Sequence, residues 1–187
     1  MSAADHILDI HSTSQDVEPF WVYPGFARNA AVASAIGRPA VHLVMPRGLG
    51  SGTPLIQHGR HGESGSTAGA ALVVECGQHF LQASADLATQ VTLDFLAHFG
   101  LIDHRTSAAS DPAAPQRRFE LLETHVIASP DFAFTRPLSG FEVFAKGELI
   151  ARNGAGEIRA PCDDCTVFMP SRDVVVGKEA VYLTRPL

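Results

Sequence analysis

Apolar residues recur along this chain in two different rhythms. Over residues 1–102, "HILDIH" (6–11), "AVHLVM" (40–45) and "ALVVE" (71–75) are short apolar runs that read as buried strands. Between the first two, "ARNAAVASAIG" (27–37) is alanine-rich and stops at a glycine followed by Arg-Pro, the usual way for a helix to end. After the third run, "LQASADLATQVTLDFLAHFG" sets Ala85, Ala88, Val91, Phe95 and Phe99 at spacings of three and four, with Gly100 as the stop. That spacing predicts an amphipathic helix of about four turns whose apolar side faces a sheet. Strands alternating with helices imply an α/β sheet that is at least partly parallel. Glycine and serine are too frequent over 46–69 for regular structure, so this stretch is expected to be a long loop, of the kind that tends to carry function.

The second rhythm begins after an alanine-, serine- and proline-rich stretch, 103–117, which reads as a linker. "RFELLETHVIAS", "FEVFAKGELIAR" and "DCTVFMPSRDVVVGKEAVYL" are short alternating segments broken by glycine and proline, with no helical period. Residues 118–187 are therefore expected to form a small antiparallel β domain.

Composition narrows the partners. With 187 residues, 45% hydrophobic and 18% charged, the chain is long enough to bury a real core. A formal net charge of −6 and a pI near 5.8 argue against nucleic acid, which needs a basic footprint, and favour a small molecule. No apolar run approaches the roughly 20 residues of a membrane span, and "MSAADHILDIHSTS" lacks the basic start and apolar stretch of a signal peptide. A cytoplasmic location, without membrane attachment, is the expectation. Cys76, Cys162 and Cys165 are too few, and odd in number, for a secreted disulfide framework. "CDDC" (162–165) has the spacing of a zinc knuckle or a redox pair, but no second ligand pair follows and no helix opens at it. It reads first as a structural turn with two acidic residues at its tip, and only secondarily as a metal or redox site.

Chemistry enters at the strand ends. Ligands of open α/β sheets bind beyond the carboxyl ends of the strands, and there "LDIH" delivers Asp9 and His11 while "LVVE" delivers Glu75. Alternation puts Asp9 and His11 on one side of their strand, so that Asp9 can orient the histidine. A histidine and a glutamate converging at one sheet edge suit a metal ligand beside a general base. The residues alone leave other readings open: a hydrogen-bonded structural histidine, and a glutamate held in a salt bridge or capping the next helix.

At these positions the chain resembles the succinylglutamate desuccinylase/aspartoacylase family of zinc hydrolases. "LDIHSTS" is similar to the family's Asp-Leu-His-Ser or Asp-Leu-His-Asn strand, and "PLIQHGRHGESGSTAGAALVVECGQHF" to the later segment that closes on a glutamate and glycine. The closing stretch "IRAPCDDCTVFMPSRDVVVGKEAVYL" resembles the family's C-terminal β domain. The resemblance implies a partial, mostly parallel zinc-carboxypeptidase-like sheet with flanking helices, plus the small antiparallel β domain. It also implies a zinc cofactor with His11 as ligand, Glu75 as the general base that returns its proton to the leaving amine, and an N-acyl amino acid or similar small amide as substrate. Arginines hold the substrate's carboxylates in the family. Arg60 lies in the corresponding loop, and Arg28 and Asn29 of "GFARN" are further candidates.

The family's remaining zinc ligands come from an upstream His-Gly-x-Glu-type motif that this sequence does not contain, so the chain is expected to match the family's C-terminal part. His58, His61 and Glu63 of "QHGRHGESG", or His79, are the residues that could make up the deficit. Otherwise a homo-oligomer or a complementing chain is expected to complete the site, or the chain is a non-catalytic homologue that binds a small ligand or a partner.

Overall fold

Alternation settles which way each strand of the α/β region faces. In the computed structural model, which describes residues 4–47, 52–66, 69–103 and 114–187, strand β1 (Ile7–Thr13) lies parallel to β4 (Ala71–Gln78), with His11 opposite Glu75. Leu72, Val74 and Cys76 of β4 join a core cluster, with Leu8 of β1 packed against it. The intervening Asp9, His11, Val73 and Glu75 therefore take the opposite face.

The chain divides into two compact units, Met1–Arg118 and Phe119–Leu187. In the first, the strand order is β1, β4, β2 (Phe20–Tyr23), β3 (Val41–Val44). Pairing is parallel for β1–β4 and β2–β3 and antiparallel for β2–β4. Two helices, α1 (Ala27–Ile36) and α2 (Gln82–His98), cover one face. Their Val32, Ala33, Val91 and Phe95 close the core around Trp21, Tyr23, Leu72 and Val74. Gly37 ends α1 with a left-handed φ of 77° and donates its N–H to Ala33 O, as expected of a glycine stop. Of the helical positions expected to be apolar contacts in α2, Val91 and Phe95 are buried, whereas Ala85 is exposed where the first turn borders a cavity.

Three expectations change. β2 was not foreseen, although "PFWVYP" is a short apolar run between prolines. Two short 3-10 turns, Leu55–Gln57 and Gly59–Gly62, interrupt the expected structureless loop. Of the expected linker, 104–113 lies outside the described residues, and Arg117 already begins β5.

In the second unit β5 (Arg117–Val126) pairs with β11 (Glu179–Pro186), β11 with β10 (Cys165–Phe168) and β10 with β7 (Val143–Phe144), all antiparallel. A second antiparallel sheet joins β6 (Ala133–Phe134), β8 (Leu149–Asn153) and β9 (Gly156–Arg159). Ile127, Phe144, Ile150, Val167, Val181 and Leu183 form its core. Among the described residues of the whole chain, no helix is long and apolar enough to cross a membrane.

Candidate functional site

Parallel pairing of two strands that each end in a polar residue brings Asp9, His11 and Glu75 together. His11 Nε2 lies 3.2 Å from Asp9 Oδ1, and His11 Nδ1 lies 3.6 Å from Glu75 Oε1. The imidazole is thus held between two carboxylates. Each ring nitrogen faces a carboxylate oxygen, so the ring can donate toward either side. Exposure falls steadily across the trio, from 50% for the His11 side chain to 26% for Asp9 and 10% for Glu75.

Glu75 is buried because β4 is an inner strand, with β1 on one side and β2 on the other, where Phe20 stands opposite it. Burial raises its pKa above the usual carboxylate value, an effect that the nearby His11 and His79 only partly offset. Among the described residues its buried Oε2 has no hydrogen-bond partner. A buried, unpartnered carboxylate oxygen next to an imidazole is a place for a water molecule or a proton, and a raised carboxyl pKa suits general acid–base work near neutral pH.

Just beyond the pair the β1–β4 ladder shifts register, and pairing resumes at Thr13 and Gln78. Gly77 takes a φ of +99° within this irregularity, which only glycine adopts without strain. Ser12 Oγ then meets His79 Nδ1 at 2.7 Å. This serine–histidine contact was not expected, because it depends on the register shift. A cavity of about 320 Å³ opens beside it, lined by His11, Ser12, Cys76, Gln78, Phe80 and Ala88 among others. His11 thus borders this cavity, whereas Glu75 is not among its lining residues.

The other candidates are placed elsewhere. Arg60 donates to Ala4 O and ion-pairs with Asp5 at 2.9 Å, near the start of β1. That is about 20 Å from His11 at about 3.3 Å of rise per strand residue. Arg28 donates to the carbonyls of His61 and Glu63 and stacks over Phe26. Asn29 is fully buried, accepting from Ala71 N and donating to Pro24 O; its partner Ala71 lies about 13 Å along β4 from Glu75. Arg60 was a candidate through its place in the loop, with Arg28 and Asn29 as further candidates; the fold uses the three to tie that loop and α1 to the amino ends of the strands. His61 is buried with both ring nitrogens facing carbonyl oxygens, of Gly69 and Ala4, while His58 and Glu63 are exposed. Among the described residues, this loop arranges no metal-holding group.

These placements decide the fit of a zinc ion. A catalytic zinc takes about three protein ligands, and among the described residues no group of three histidine, cysteine, aspartate or glutamate side chains is arranged to hold a metal. His11 and Glu75 are a two-donor fragment, which does not fit zinc by itself.

No protein-family model matches the chain. No curated protein matches it significantly. Its fold does match solved structures. Succinylglutamate desuccinylase from Vibrio cholerae superposes with a TM-score of 0.66 at 19% identity, over 96% of this chain and 52% of that one. A succinylglutamate desuccinylase/aspartoacylase from Rhodobacter sphaeroides gives 0.64 at 18% identity, over 100% of this chain and 60% of that one. The ectoine utilization protein EutE from Ruegeria pomeroyi gives 0.64 at 15%, over 98% and 61%. The chain thus has the fold of succinylglutamate desuccinylase/aspartoacylase structures, and spans between 52% and 61% of the length of these three.

Proposed function

We propose that the chain is a deacylase of the succinylglutamate desuccinylase/aspartoacylase type, carrying the proton-transfer half of an amide-hydrolysing centre for an N-acyl amino acid or similar small amide. The observation that carries this reading is the buried Glu75 carboxyl with its unpartnered Oε2 beside His11. The likeness in fold to deacylase structures supports it.

In this reading a water molecule at Oε2 gives its proton to Glu75 as its oxygen attacks the amide carbon. The C–N bond then breaks, and the proton passes from Glu75 to the leaving amine. Asp9 fixes the His11 ring, and His11 keeps the Glu75 carboxyl turned toward the reacting water. The family resemblance adds zinc held by His11, but the two donors in hand do not complete such a site, so no step above depends on it.

The test is amine release from a panel of N-acyl amino acids by the purified chain, with and without added zinc. Wild type should hydrolyse at least one member, and Glu75→Gln should lose about 10²- to 10⁴-fold in rate. Full activity in Glu75→Gln, or no turnover of any member by the wild type, would overturn the proposal.

A second reading rests on the same two-donor fragment together with β1, which is paired on one side only among the described residues and leaves Ile10 47% exposed. A second copy or a complementing chain lying along β1 would then complete the site. Mass measurement of the purified protein in solution, with zinc counted per chain, separates the two. A monomer that turns over substrate excludes the second reading.

A further inference from the structure

Cys162 and Cys165 lie outside the candidate site, in the second unit. Asp163 and Asp164 form the exposed tip of a turn between them, with Asp164 in a left-handed conformation at φ 53°. Such a turn brings its first and last Cα atoms within about 7 Å, a range that overlaps the roughly 4.4–6.8 Å that a disulfide spans. The turn is fixed from both sides: Lys146 N donates to Asp163 Oδ1 at 3.1 Å, and Thr166 Oγ1 donates to Asp164 O at 3.1 Å. Both cysteine side chains turn inward on the same core, Cys165 as a fully buried member and Cys162 packed against it. After burial, the neighbouring Cys162 side chain is the next cause that raises the Cys165 pKa, so the two thiols are electrostatic neighbours. Cys162 is half-buried and so within reach of a small reagent.

We propose that Cys162 and Cys165 are a dithiol redox site that closes to an intrachain disulfide by exchange with an uncharged low-molecular-weight disulfide. The Cys162 thiolate attacks one sulfur of the reagent, releasing one thiol and leaving a mixed disulfide. Cys165 then displaces the second thiol as the Cys162–Cys165 bond forms. Two protein thiols are oxidised, one reagent disulfide is reduced to two thiols, and the two protons go with them. The acidic tip, Asp163 and Asp164, repels anionic reagents, which is why the oxidant class is uncharged. Burial pushes the Cys165 thiol up to about 12. Reduction of the closed pair would regenerate a thiol with little thiolate stabilisation, so the disulfide resists reduction once made.

The test uses the full chain with hydroxyethyl disulfide, followed by alkylation and mass analysis. Two of the three thiols should be lost, the tryptic peptide 160–172 should be lighter by two hydrogens, and the protein should not become cross-linked. Cys162→Ser should slow loss of the Cys165 thiol by at least about tenfold, while Cys76→Ala should leave closure unchanged and controls for folding. Glutathione disulfide, which is anionic, should close the pair more slowly, with the gap narrowing in salt. Three thiols still alkylated, or loss through Cys76 or between chains, would overturn the site, and equal rates for the two reagents would overturn its preference for uncharged oxidants.

Discussion

A carboxyl group that burial makes hard to ionise works against the fold at neutral pH, and Glu75 is such a group. Because its folded pKa is raised, the folded state holds a proton that the unfolded state gives up, and stability falls as pH rises through the window above about 4.3. Glu75→Gln should therefore melt a few degrees higher than wild type at pH 7, with the gain shrinking toward pH 4. Thermal unfolding at the two pH values checks this, and a lower melting point at pH 7 would count against it. His42 titrates with the opposite sign. It is fully buried, with Nδ1 2.8 Å from the Tyr23 hydroxyl and Nε2 unpartnered among the described residues, and burial lowers its pKa to about 4. The unfolded chain takes up this proton first, so stability is full above about 6.5 and lost as pH falls toward 4. That amounts to about 2 kcal/mol between pH 7 and 5. Urea titrations of wild type and His42→Gln at both pH values should show that decrement only in wild type. Asp9, His11 and Glu75 were legible in the sequence because period-two alternation fixes their face. The contacts of Arg60, Arg28 and Asn29 were not, because their partners, such as Asp5 and Ala71, lie far away along the chain.

At the scale of elements, the strands and helices with a clear period were legible, and those defined by their neighbours were not. β2 is four residues, too short to show a period, and its place between β4 and β3 is set by pairing with strands on either side. The continuation of β4 past Glu75 to Gln78 depends on Gly77, whose φ of +99° absorbs the register shift. A Cβ there would stand 3.1 Å from Ser84 Oγ, and that hydroxyl donates to Gln78 O at 2.7 Å at the entry to α2. Gly77→Ala thus combines backbone strain with a displaced hydrogen bond. We expect a loss of about 1–3 kcal/mol, read as a lower urea midpoint at unchanged slope. An unchanged midpoint would show that the strand end can relax.

For the whole molecule, the change of rhythm along the sequence anticipated an α/β region followed by an antiparallel β region, because each rhythm records which partner an element must bury itself against. What pattern could not supply was the cohesion of each unit. The second unit closes a core of its own, in which Ile127, Phe144, Ile150, Val167, Val181 and Leu183 are all at most 1% exposed. The side chain of Asn153 also ties β8 back to the backbone, accepting from Ala128 N and donating to Val126 O, both at 2.8 Å. A unit this small buries only about 60% of the surface its unfolded chain exposes, so its margin is narrow, but its core draws on no residue before Phe119. Residues 119–187 expressed alone should therefore unfold in urea as a single cooperative transition, at a lower midpoint than full-length protein. A gradual transition with dye binding before denaturant would mean that the core, although closed on paper, needs the rest of the chain to pack.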